Sequence, residues 1–187
     1  MQTVLGLTGL AGCGKSTVAN YLKQKYGFQF LVFSDVLREE AMRRGLLRPG
    51  LEMEQVKKVL ADFGDAWRKE TGKNEIIAEK LIEKIKSLNL QKVTVDGFRA
   101  PAEVELFGAN FPKFKLIYVF APADVRFKRR RLEDHTVTRE AFDNRDKQDI
   151  EKKGLGKVIE MTNMELNNST DYRSLFLQID HVMKSVF

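Results

Sequence analysis

Residues 9–17, GLAGCGKST, place three glycines, one lysine and two hydroxyls in a single turn directly after the apolar run VLGLT. Gly9, Gly14, Lys15 and Ser16 satisfy the spacing G-x-x-x-x-G-K-[ST], and the residue types explain one another. Successive backbone N–H groups converge on a phosphate only where no side chain obstructs them, and the helix that follows adds its positive dipole end. The chemistry implied is the binding of a nucleoside triphosphate. Gly9, Ala11, Gly12, Cys13, Gly14 and Thr17 line the cradle, Lys15 reaches the β- and γ-phosphates, and the Ser16 hydroxyl ligates Mg²⁺. The competing reading is a chance match or a loop that has lost its activity. The chain contains no Asn-Lys-x-Asp element, which points to ATP or a base-tolerant site rather than a guanine switch.

Three further groups are candidates. Ligands of an open α/β sheet collect at the carboxyl ends of its strands, so polar residues after each apolar run carry interest. After the second run, Ser34-Asp35-Val36-Leu37-Arg38 puts Asp35 and Arg38 on one face of a first helical turn. They could orient an acceptor hydroxyl and hold an acceptor phosphate, or serve as a dipole-compensating acid and a surface cation. After the third run, in Val95-Asp96-Gly97-Phe98-Arg99, Asp96 could hold a Mg²⁺-bound water, Gly97 lets the backbone approach a ligand, and Arg99 could reach a phosphate. Residues 126–131, RFKRRR, carry five cations in six residues, of which Arg126, Arg129 and Arg130 share a helical face. Cations in a closed site stabilise the charge that phosphoryl transfer spreads over the migrating group, and Arg145 is a further candidate to enter on closure. A solvated basic face is the alternative for each.

The elements that must position these groups alternate. Residues 3–7 read as a strand and 14–26 as a helix; FQFLVF, ending at Ser34, reads as a strand and the stretch to Gly45 as a helix. Residues 52–71 and 74–88 show two consecutive helical spacings, KVTVDG a buried strand, the stretch from Pro101 a helix, and KLIYVFA a strand. A basic helix follows Pro122. Residues 133–153 are too charged and too poor in large apolar groups to be a buried element, and read as a flap. A strand around 161–166 and an amphipathic helix to residue 186 close the chain. Strand–helix alternation predicts an α/β fold with a parallel sheet covered on both faces.

The chain has 187 residues and a formal net charge of +6, enough for one domain with a full core. The lone Cys13 permits no internal disulfide, so a reducing cytoplasmic compartment is expected. The N-terminal stretch lacks a basic leader pattern, and no run is long and apolar enough to span a membrane.

GLAGCGKS, then SDVLR, then VDGFR in that order resemble the nucleoside monophosphate kinase group of P-loop kinases. REEAMRRG, TGKNEIIAEKLIEKI and the Arg145-Asp146 pair followed by Gly154-Leu155-Gly156 resemble its archaeal adenylate-kinase-related, dephospho-coenzyme A kinase-like members. The resemblance covers nearly the whole chain. It implies a three-layer α/β/α P-loop NTPase fold with a five-stranded parallel sheet, a core of residues 1–50, 90–125 and 155–187, an acceptor-binding helical arm at about 51–89 and a short lid at about 126–154. It implies ATP- and Mg²⁺-dependent phosphoryl transfer to a small phosphorylated acceptor, foremost a nucleoside or deoxynucleoside monophosphate. Arg38 and Arg99 would then hold the acceptor phosphate, Asp35 contact the acceptor, Asp96 and Ser16 place Mg²⁺, and Arg126 and Arg129 act as lid arginines. Dephospho-coenzyme A kinase is the alternative of the same class. The other is an ATPase switch or RNA-associated factor whose arginine run would bind a phosphate backbone. The chain departs from the group in carrying no zinc-binding cysteine set in the lid and in placing MTNMELNNST where a more apolar strand is usual, which bears on base recognition near Asn167 and Asn168.

Overall fold

The computed structural model describes residues 2–151 and 154–186. The first apolar run forms β1 (Thr3–Thr8), buried at every position. The glycine turn delivers the chain into α1 (Lys15–Tyr26), which stops at Gly27 in the left-handed region, whose N–H meets the Leu22 and Lys23 carbonyls. Next come β2 (Gln29–Val32), α2 (Phe33–Arg43), α3 (Met53–Thr71), α4 (Ile76–Ser87) and β3 (Lys92–Asp96). The remainder alternates through α5 (Pro101–Asn110), β4 (Lys113–Phe120), α6 (Ala123–Glu133), α7 (Arg139–Glu151), α8 (Leu155–Glu160), β5 (Met164–Asn167) and α9 (Tyr172–Val186).

The strands form one parallel five-stranded sheet in the order β2-β3-β1-β4-β5. Parallel neighbours need crossovers, and the helices that supply them cover both faces. Alternation along β1 shows the two cores. Leu5 and Leu7 join Val18, Leu22, Ile117, Leu166, Leu175 and Ile179 under α1 and α9, while Val4 joins Val95, Leu116, Phe98 and Phe107 under α2, α4 and α5. Gly6 also faces the second cluster. A β-carbon there would come within 2.8 Å of both Phe98 Cε2 and Leu116 Cδ1, so the missing side chain is what admits the Phe98 ring against the central strand. In the stretch 51–89, α4 sinks Ile76, Ile77, Leu81, Ile82 and Ile85 into this same core, and α3 adds Leu60, Phe63 and Trp67.

The structure corrects three readings. The helix after β2 begins at Phe33, inside the run read as strand. Phe33 is buried against Phe98 and Phe107, and the Asp35 carboxylate accepts from the Val32 N–H at 3.3 Å, the N3 half of a capping box. The last strand is shifted, because 155–160 form a short helix and pairing with β4 starts only at Met164. The stretch read as a flap at 133–153 carries, within its described residues, a helix with buried side chains: α7 buries Phe142 and Asp149, the former 3% exposed. Its anchor is one aromatic ring and its carboxylates, a pattern that apolar periodicity cannot reveal.

Phe98 is 1% exposed among Phe33, Phe107 and Phe114 and tethers the 97–99 loop to the sheet. Phe98→Ala leaves a cavity in a ring cluster and is expected to cost about 3–5 kcal/mol, read as a fall in the denaturant midpoint at unchanged slope.

Candidate active site

The cradle sits at the carboxyl end of the central strand, between β1 and its neighbours β3 and β4. Gly9 (φ 140°) and Gly14 (φ 100°) lie where a side chain is strained, and both are closely overpacked. A β-carbon at Gly9 would stand 2.4 Å from the Val119 carbonyl oxygen, and one at Gly14 2.2 Å from Asn168 Nδ2. The turn therefore needs glycine for conformation and for closeness. Lys15 Nζ donates to the Gly9 carbonyl at 2.8 Å, folding back over the loop, and lies 3.8 Å from Cys13 Sγ. Cys13 is buried, and burial pushes its thiol up despite the Lys15 charge beside it.

Lys15, Ser16 and Thr17 share a cleft of about 380 Å³ with Asp96, Arg129, Arg130, Asn168 and Tyr172. Asp96 ends β3 in register with Leu7. Its Oδ1 is buried without a hydrogen-bond partner, and burial pushes its carboxyl above the usual carboxylate range against the opposing pull of Lys15. A buried, unsatisfied carboxylate oxygen opposite a hydroxyl and an ammonium is costly unless something completes it. Hard oxygen donors on two sides suit Mg²⁺, which takes few protein ligands and fills its shell with water and phosphate oxygens, so Ser16 and Asp96 fit that ion.

The loop rests on a buried scaffold. Arg126, 4% exposed, donates from Nε to the Ala121 carbonyl at 3.0 Å, from Nη1 to the Ala11 carbonyl at 3.2 Å and from Nη2 to Asp146 Oδ2 at 2.6 Å. Its guanidinium also lies over the Phe142 ring. In this conformation three faces of the group read as a lid arginine are engaged on protein atoms. Arg129 lines the cleft and donates to the Asn168 carbonyl at 2.9 Å and the Gly12 carbonyl at 3.4 Å. Asn168 Nδ2 in turn donates to the Cys13 carbonyl at 2.9 Å.

The other predicted residues lie off the walls of this cleft. Asp35 caps α2, and Arg38 is half-buried on the same helix. Gly97 (φ 117°) packs under Phe33. Arg99 is 54% exposed and Arg145 51%, and both lean toward Asp149. Sequence reasoning missed the supporting set. Asp146 was visible only as half of the Arg145-Asp146 pair and Asn168 only as part of a polar strand end, and neither spacing says what it supports. Glu103 had a readable signal, a glutamate three residues after the residue preceding Pro101. Its Oε2 accepts from the Arg99 N–H at 2.8 Å and the Ala100 N–H at 3.1 Å, and burial pushes its carboxyl up.

Comparison with known proteins agrees with this geometry. Residues 8–151 match the family model described as AAA domain. A UPF0200 protein of Methanothermobacter thermautotrophicus is 30% identical over 188 residues, covering 99% of this chain and 91% of that protein. Among solved structures, TT1252 from Thermus thermophilus superposes with a TM-score of 0.68 at 16% identity, over 100% of this chain and 98% of that one. The dephospho-CoA kinase from Campylobacter jejuni superposes with a TM-score of 0.62 at 16% identity, over the same shares.

The Asp96 shift fixes the sign of a pH effect. With its folded-state value raised, the folded protein holds a proton that the unfolded chain has already released, so stability rises as pH falls through the raised value and is lowest above it. Asp96→Asn is expected to raise the melting temperature of the ligand-free protein at neutral pH, to flatten this rise, and to lose Mg²⁺-nucleotide affinity. A lower melting temperature at neutral pH contradicts the assignment.

Proposed function

Because this chain belongs to the AAA domain family, with a P-loop kinase-like fold, and to the UPF0200 proteins, we propose that it transfers the γ-phosphoryl group of ATP to a small phosphate-bearing acceptor. The acceptor favoured is a nucleoside or deoxynucleoside monophosphate. One observation carries the reading: a glycine-built phosphate cradle opens into the same cleft as a buried, unpartnered Asp96 oxygen, with Lys15 and Ser16 between them.

In this reaction the bond from the γ-phosphorus to the β–γ bridging oxygen breaks as a bond to an acceptor oxygen forms. Lys15 exchanges the Gly9 carbonyl for phosphate oxygens, giving up one hydrogen bond for charge-assisted ones. Arg129, on the cleft wall, adds positive charge where the migrating group becomes electron-rich. Ser16 and Asp96 would hold Mg²⁺, which would supply positive charge to the phosphate oxygens. Arg126 acts from beneath, holding Ala11 so that the loop N–H groups keep their aim. Arg38 and Arg99 take the acceptor anion, Asp35 contacts the acceptor, and Arg145 enters from α7 on closure. The positive balance of the chain suits two phosphate-bearing ligands. Among the described residues no helix is long and apolar enough to cross a membrane. The lone Cys13, which permits no internal disulfide, suits a reaction in the reducing cytoplasm.

A second reading is favoured by the likeness to a dephospho-CoA kinase: the acceptor presents a hydroxyl, whose proton passes to Asp35.

The test is a panel of nucleoside and deoxynucleoside monophosphates plus dephospho-coenzyme A with Mg²⁺-ATP, following ADP and phosphorylated product. One phosphate acceptor turned over supports the reading, and turnover of dephospho-coenzyme A alone selects the second. ADP release indifferent to every acceptor overturns both in favour of an ATPase switch. Lys15→Ala is expected to keep the thermal transition and lower turnover by about two to three orders of magnitude; full activity refutes the site.

A further inference from the structure

Asp149 is the most buried carboxylate on α7, 6% exposed, and its two oxygens face two different elements. Oδ1 lies 3.9 Å from Arg99 Nη1, on the loop after β3, and Oδ2 lies 3.8 Å from Arg145 Nε, one turn earlier on α7. Both arginines are more than half exposed. At these separations the attraction holds each guanidinium nearby without taking its N–H groups into short hydrogen bonds. The donors thus stay open to a further anion, while a buried carboxylate keeps the two cations from repelling each other apart.

The loop beneath Arg99 is fixed independently. Glu103 holds the Arg99 N–H, and the Arg99 carbonyl oxygen lies 3.1 Å from where a β-carbon of Gly154 would stand, so the chain leaving the α7 segment packs on the backbone of Arg99 itself. One turn before Asp149 on α7, Asp146 pairs with Arg126, which holds the Ala11 carbonyl of the cradle. A single helix therefore touches both halves of the proposed reaction.

We propose that Asp149 is a positioning residue that joins Arg99 and Arg145 into one two-arginine clamp for the anionic group of the acceptor. The inference rests on the phosphoryl-transfer reading and extends it. The ligand class is a compact oxyanion, a phosphate monoester foremost, which two guanidiniums grip from two sides. Occupying the clamp ties α7 to the acceptor loop, so the presence of acceptor is sensed by the segment whose other carboxylate supports the donor cradle.

The experiment titrates inorganic phosphate calorimetrically into protein saturated with Mg²⁺ and a non-hydrolysable ATP analogue, so that the cradle is filled and only the acceptor side takes the probe. Arg99→Gln, Arg145→Gln and Asp149→Asn are each expected to weaken phosphate about tenfold. The double variant Arg99→Gln/Arg145→Gln should be weaker by much less than the product of the single effects, as coupled residues are. Analogue affinity should change less than twofold in all four, which a general loss of structure would not allow, and Asp149→Glu should recover part of the phosphate affinity. Wild-type phosphate binding by Asp149→Asn, or independent effects of the two arginines, overturns the clamp. If the analogue itself fails to bind, the nucleotide reading falls, and the same titration in a Lys15→Ala background still decides the clamp.

Discussion

One buried guanidinium holds the functional end of this protein together. Arg126 satisfies carbonyl groups at the end of β4 and inside the glycine loop and pairs with a carboxylate on α7, so sheet, cradle and outer helix share a single anchor. Burying such a charge costs several kcal/mol, which is recovered only when every donor finds a partner in good geometry. The constraint runs in both directions. Alanine at Asp146 would strand a buried cation, and a shift of α7 would withdraw support from Ala11. A nucleotide site otherwise made of flexible glycines thereby acquires a fixed floor.

From that floor the chemistry follows by position. The parallel sheet brings the ends of β1 and β3 side by side, so Lys15 and Asp96, some eighty residues apart in the chain, face one cleft. The Asp96 oxygen there is buried without a hydrogen-bond partner, a cost that the proposed cation would relieve. The proposed acceptor side is built differently. Its loop is nailed to the core through Phe98 and capped by Glu103, leaving only the Arg99 side chain reaching outward.

The elements whose stability comes from apolar burial were legible in the sequence. Strand periodicity and the glycine spacing located β1, β3 and β4, the cradle, and its strand–turn–helix setting, because in those segments each residue's surroundings are largely set by its own strand and helix. What escaped depends on partners distant in the chain. Phe33 leaves its strand early because Phe98 and Phe107 receive its ring and Asp35 caps the new helix. The α7 segment looked solvated because its anchors are an aromatic ring and two carboxylates that reach Arg126 on α6 and Arg99 on the loop after β3. Arg126 illustrates both sides: its place in a basic helix was plain, whereas its direction, inward beneath the loop, depends on Ala11, Ala121 and Asp146 together.

The proposed phosphoryl transfer requires a cradle that recognises the phosphate chain rather than the base. The direct measurement is competition by ATP, ADP and AMP, at fixed Mg²⁺ and salt, against a fluorescent non-hydrolysable ATP analogue bound to the wild-type protein, which reads the cradle alone. Affinity should rise with phosphate number, with AMP about a hundredfold weaker than ATP. Equal affinities for the three nucleotides would contradict the account.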